Sequence, residues 1–380
     1  MEKLNIHTPL PLLALGFLAL LAAMWAGLVR MGWNLPALQP ILPISHGPLM
    51  ISGFLGTVIG IERAVALSAL PATIGAKRRW TYVGPFLTGL GALTLIIGVP
   101  GLVGSLLISL GSLSLVLVFV VILRIQVAPY TITMAGGALL WLVGNGLWLL
   151  GWPIYSVVGW WSGFLILTIA GERLELNRVR RLSRPVQMIF LSAIGLLLVG
   201  LAISLLRFEF GIRLSGGGML AIALWLLRYD LARYTLKKSG LSRFIAICLL
   251  AGYGWLAIGG GLAIRYGGVS AGFDYDAMQH AIFIGFVISM IFGHAPIIFP
   301  AVTGKPVPFQ PIFYSHLVLL HLSLLLRIVG DLSFWLAGRQ WGGLLNVVAL
   351  LLFLINTVRA MRSARSTPTA PTVTPLEQPG

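Results

Sequence analysis

Apolar runs of about 20 residues recur from one end of the chain to the other, separated by short polar or glycine- and proline-marked stretches. A helix of that length rises through roughly 30 Å, the thickness of a bilayer's hydrocarbon core. The runs are continuous in apolar character. They lack the alternation of a transmembrane β-barrel, whose strands face lipid and lumen in turn. A segment in hydrocarbon must satisfy its own backbone hydrogen bonds, and such a run does so as a helix. The pattern predicts twelve helices, near Pro9–Trp33, Ser45–Leu67, Trp80–Val99, Leu102–Ile125, Thr131–Leu150, Tyr155–Leu174, Val186–Leu206, Ile212–Tyr229, Phe244–Tyr266, Tyr275–Pro300, Phe309–Val329 and Gly342–Val358. Gly216, Gly217 and Gly218 interrupt the start of the eighth, the least regular of the set. The expected fold class is therefore all-α and polytopic. A single transmembrane domain spans 1–365, and the Pro- and Thr-rich tail 366–380 reads as disordered. The opening MEKLNIHTPLPLL shows no small-residue cleavage site, so the first helix is expected to be retained.

Composition supports this reading and redirects the charge. The chain is 58% hydrophobic and 9% charged, against about 25% charged residues in a typical soluble domain. Its net charge of +16 would suggest nucleic acid on a soluble protein. Here the basic residues sit in short loops, so their reading is topogenic: the partner is the lipid bilayer, and no nucleic acid is expected. Lys77, Arg78 and Arg79 follow the second helix, and Arg173, Arg178, Arg180, Arg181 and Arg184 the end of the sixth. Arg228, Arg233, Lys237, Lys238 and Arg243 follow the eighth, and Arg359, Arg362 and Arg365 the twelfth. Odd-numbered exits carry fewer, such as Arg30, Arg207 and Arg213. The positive-inside rule then puts both termini and the even loops in the cytoplasm, in a bacterial inner membrane. The lone Cys248 excludes an intramolecular disulfide.

An internal repeat constrains the architecture. SGFLGTVIGIER (52–63) in the second helix parallels SGFLILTIAGER (162–173) in the sixth and IGFVISMIFGHA (284–295) in the tenth. The helices before the sixth and tenth share WLVGNGL (141–147) and WLAIGGGL (255–262). Three four-helix units account for this most simply. Small residues in such motifs also serve close helix crossings.

Ionisable side chains at membrane depth are the candidates for chemistry. His46 begins the second helix and His280 lies early in the tenth, so both fall near the outer face and can meet. Two imidazoles sharing one iron form a bis-histidine haem b site; the plainer alternative is two interfacial histidines bonded to backbone. His294, 14 residues after His280, lies about 21 Å further along the helix. His316 is its expected partner for an inner metal or haem site, with His321 nearby; a polar-network role is the alternative for all three. Glu62–Arg63 and Glu172–Arg173 read as ion pairs at helix ends, or as part of a proton or cation path. Arg265 and Arg327, with Arg30, are candidates to hold haem propionates, or simply snorkel. Walker A, HExxH and CxxC motifs are absent from the sequence.

HGPLMISGF (46–54) resembles the second helix of haem–copper oxidase subunit I, and QHAIFIGFVISMIF (279–292) its tenth. The histidines of both are similar to those of the NnrS family of haem- and copper-associated membrane proteins, as is Gly293–His294. The resemblance implies haem b on His46 and His280, twelve helices with a pseudo-threefold repeat, and a role in electron transfer or the nitric oxide response. The sequence departs from the oxidases in having no histidine between His46 and His280, and Met278 where a second tenth-helix histidine is required. A working oxygen-reducing centre is therefore not expected, and copper lacks a full ligand set. Two rival readings remain at this point. One is a secondary transporter or channel using Glu62, Glu172 and His294. The other is a non-catalytic subunit or assembly factor of a respiratory complex, docked on membrane-embedded subunits or a redox partner.

Overall fold

The computed structural model describes residues 9–68, 79–180 and 182–363. Twelve of its helices are long and apolar enough to cross a membrane: α1 (Leu10–Arg30), α2 (His46–Ser68), α3 (Arg79–Ile97), α4 (Val103–Ile125), α5 (Pro129–Leu149), α6 (Ile154–Arg180), α7 (Arg184–Ser204), α8 (Phe208–Tyr229), α9 (Gly240–Tyr266), α10 (Phe273–Thr303), α11 (Phe313–Leu332) and α12 (Leu336–Ser363). The described residues contain no strand, so the chain is an all-α integral membrane protein. Lys77, Arg78, Arg181, Arg365 and the tail 366–380 lie outside the described residues.

The helices are not equivalent. Within their spans α2, α6 and α10 bury 67, 78 and 72% of residues, whereas no other helix exceeds 56%. These three, four apart in order, form the centre. Around α2 run α1, α3 and α4, with α5 reaching it through Trp141; α6 is wedged between α5 and α7, and α10 between α9 and α11. The circle closes where α12 meets α1: Gln340 donates from Nε2 to the Met31 carbonyl at 2.9 Å, and Trp33 and Trp341 pack edge to face.

The repeated motifs explain how the centre packs. Gly53, Gly163 and Gly285 occupy the same motif position in α2, α6 and α10. A Cβ at Gly53 would stand 2.9 Å from Ala92, one at Gly163 2.7 Å from Leu140, and one at Gly285 2.4 Å from the Trp255 ring. Each glycine lets a neighbouring helix approach to contact distance, where dispersion replaces a hydrophobic force that lipid does not supply. The glycines expected to interrupt the eighth helix do the same work. α8 runs unbroken through them, because Gly216 faces the Gly260 carbonyl and Gly218 faces Leu197 at distances no side chain permits.

A buried polar hub ties the units together. Trp141 donates from its indole to the Ser52 hydroxyl at 3.0 Å, and Ser52 and Trp161 donate to Asn145 Oδ1 at 3.2 and 2.9 Å. Ser109 donates to the Asn145 carbonyl at 3.2 Å, so α2, α4, α5 and α6 share one network. In α9 the equivalent tryptophan, Trp255, donates instead to His321 Nδ1 on α11 at 3.0 Å.

Two π-helical turns interrupt the central helices, at Leu49–Gly56 in α2 and Ala281–Ile288 in α10. Each begins three residues before its repeat motif, whereas α6 is regular helix at the same place. A π turn adds a residue to the helical circuit and rotates the N-terminal part of the helix relative to the C-terminal part. The rotated N-terminal parts carry His46 in one helix and His280 in the other.

Candidate functional site

α2 and α10 bring His46 and His280 together across 234 positions of chain, with ring centroids 6.3 Å apart and planes 27° from parallel. Each ring is fixed by a backbone carbonyl: Nδ1 of His46 lies 2.7 Å from the Ala23 oxygen, and Nδ1 of His280 lies 2.9 Å from the Asp276 oxygen. A carbonyl only accepts, so Nδ1 carries the proton in both, and Nε2 is left as a free lone pair. This is the state in which a histidine binds a metal, with its other nitrogen oriented by a backbone acceptor. Gly27 makes room for His46, since a Cβ there would stand 3.0 Å from the imidazole.

Beneath His280 lies a charged cluster built by α10, α11 and α12. Arg327 donates from Nε and Nη2 to the two oxygens of Asp276 at 2.8 and 3.0 Å. Asp276 Oδ1 is also 3.4 Å from His280 Nδ1 and 3.4 Å from Arg339 Nη2. Arg339 Nε is 3.1 Å from Asp331, whose side chain is fully buried, and its guanidinium lies over the Phe273 ring. Two carboxylates and two guanidiniums thus balance at one end of the bundle. Sequence reasoning passed over Asp276, Asp331 and Arg339, although a carboxylate inside an apolar span is itself the signal.

Of the arginines considered for propionates, Arg327 spends Nε and Nη2 on Asp276. Arg265 is exposed at the end of α9, over the Tyr266 ring. Arg30 is different: exposed at the end of α1, it lies in electrostatic reach of His46 and has no ion-pair partner among the described residues.

The other histidines separate into two kinds. His294 resembles the outer pair, with Nδ1 2.7 Å from the Met290 carbonyl and Nε2 free. His316 and His321 do not. His316 Nδ1 accepts from Asn356 at 3.2 Å, inside a shell of Phe244, Phe292, Phe313 and Phe353. His321 Nδ1 accepts from Trp255. In both the proton therefore sits on Nε2, which is buried without a partner. The structure does not bring His316 to His294. His294 faces a cavity of about 110 Å³ that His316 does not line.

That cavity gathers the repeat-equivalent residues Glu62, Glu172 and His294, from α2, α6 and α10. The rest of its wall is largely apolar, including Phe17, Phe54, Met290, Phe299 and Phe353. Arg63 bridges Glu62, at 3.3 Å, and Glu172. Glu172–Arg173 is not an ion pair: Arg173 turns away and holds Asp230 through Nε and Nη2, both at 2.9 Å.

Two imidazoles bonded through Nε2 to one metal, at about 2 Å each, hold their ring centres roughly 6 Å apart. The His46–His280 spacing and their neutral, unpartnered donors fit such a pair. Among the described residues no three His, Cys, Asp or Glu side chains form a metal-binding group. Among curated proteins none matches the chain. The family described as "Domain of unknown function (DUF8744)" matches residues 9–362, and the chain belongs to that family.

Proposed function

We propose that this protein is a haem b-binding membrane protein that serves in electron transfer or in the nitric oxide response, with His46 and His280 as the two axial ligands. One observation carries the reading. Two histidines from distant helices lie with ring centroids 6.3 Å apart, and each spends Nδ1 on a carbonyl so that Nε2 remains a lone pair. A satisfied structural histidine has no reason to leave that nitrogen bare beside another. Held by these two imidazoles, a haem would supply one-electron redox chemistry.

The chain's own residues supply the rest. Ala23 and Asp276 fix the tautomers. Asp276 sets a negative charge beside the His280 ligand, and Arg327 and Arg339 balance it. Arg30, which has no ion-pair partner among the described residues, would meet a propionate. The bilayer is that of a bacterial inner membrane, with both termini in the cytoplasm, since basic residues crowd the ends of α6, α8 and α12.

The test is a reduced-minus-oxidised visible spectrum of the purified protein, with the haem counted as its pyridine haemochrome. Sharp low-spin b-type bands in the wild type, lost in the His46→Ala, His280→Ala double variant, are expected. A wild type that stays colourless when expressed with ample haem, or a double variant that keeps its bands, would reject the assignment.

A further inference from the structure

The inner cavity is separate from the His46–His280 pair, and its polar groups share a character. His294 Nε2 is an acceptor, because Nδ1 donates to Met290. Glu62 and Glu172 meet Arg63 through Oε1, and the second oxygen of each has no hydrogen-bond partner among the described residues. Arg63 meets both carboxylates through Nη2, its Nε is buried without a partner, and the residue is not part of the wall. Thr168, 3% exposed, borders the same cavity, but its hydroxyl is buried against Gly137 of α5 and does not open into it. The cavity thus offers several acceptors in an otherwise apolar wall carrying four phenylalanines.

A ligand that fits is apolar, aromatic and neutral, with a head that donates a hydrogen bond. The acceptors repel an anion: a second haem with its propionates toward this end would face two carboxylates that one arginine already holds. The wall is too apolar for a hydrated cation. We propose that the cavity binds a membrane-soluble quinol, whose hydroxyl donates to His294 Nε2 or a glutamate. The demand for a hydroxylated head on an apolar body comes from the cavity alone. The choice of a quinol among such molecules rests on the electron-transfer reading above.

The test is saturable binding of a short-chain benzoquinol to the full-length protein in nanodiscs, compared with its dimethyl ether and with a long-chain alcohol. The wild type is expected to bind the quinol at least tenfold more tightly than either comparison compound. His294→Leu is expected to weaken binding about tenfold with an unchanged size-exclusion profile. The His46→Ala, His280→Ala variant is expected to bind as the wild type does, so a failure of the haem assignment leaves this result standing. Equal binding of the ether, equal binding of the alcohol, or indifference of His294→Leu overturns the proposal, whatever the haem spectrum shows.

Discussion

Single residues carry the most sharply testable statements. Arg173 and Asp230 are 6% and 0% exposed, and Asp230 also accepts from the Ala232 amide at 2.7 Å and from Asn177 at 3.3 Å. Removing one partner of a buried pair strands the other in low dielectric, at about 3–5 kcal/mol. Asp230→Ala is accordingly expected to lower the apparent melting temperature of the detergent-solubilised protein steeply, read by intrinsic fluorescence. Asp276 stands differently, beside a proposed ligand. Asp276→Asn keeps the backbone carbonyl that fixes His280 but removes a negative charge beside it. Less negative charge disfavours the oxidised centre, so the haem midpoint potential is expected to rise in a redox titration, and haem affinity to fall about 10–100-fold. At this scale the sequence was only partly legible. The depth of His46 and His280 followed from counting along each helix. The fate of Arg173 did not: Glu62–Arg63 meet on their own helix, but the equivalent Arg173 is drawn to Asp230, 57 positions along the chain, and no local pattern separates the two cases. Arg327 met Asp276 across two helices, and nothing local announces such a contact.

At the scale of the element, the two π turns are the feature to probe. Deleting Ile51 from Leu49–Gly56 returns the segment to α-helix and turns His46 by about 100° away from His280. The variant is expected to insert and purify as the wild type does and yet to lose the b-type spectrum. Gly27→Val reaches the same end from outside, by driving a branched side chain into the imidazole. The helices themselves were legible because hydrocarbon leaves a continuous apolar run no other fold. The π turns were hidden for the same reason. A helix apolar on all sides has no amphipathic stripe, so an added residue shifts no pattern. The glycines of α8 misled by the opposite route: glycine weakens a helix in water, but here neighbouring helices close over it.

For the whole molecule, the repeat predicted what the packing displays. Motif-bearing helices four apart are the most buried, and their equivalent residues Glu62, Glu172 and His294 converge on one cavity. Orientation is testable directly. A reporter active only in the cytoplasm, fused after Ser363, is expected to be active, and one inserted in the loop between α1 and α2 silent; the reverse pattern would invert the topology. The Asn145 hub has a consequence for how the chain is made. Its four helices include α2 and α4 from the first unit and α5 and α6 from the second. During synthesis the first unit enters the membrane with the Ser52 and Ser109 hydroxyls lacking these hub partners, which come only with Trp141 and Asn145 on α5. The first four helices are therefore no autonomous module. A chain stopped after α4 is expected to be a substrate for membrane quality control.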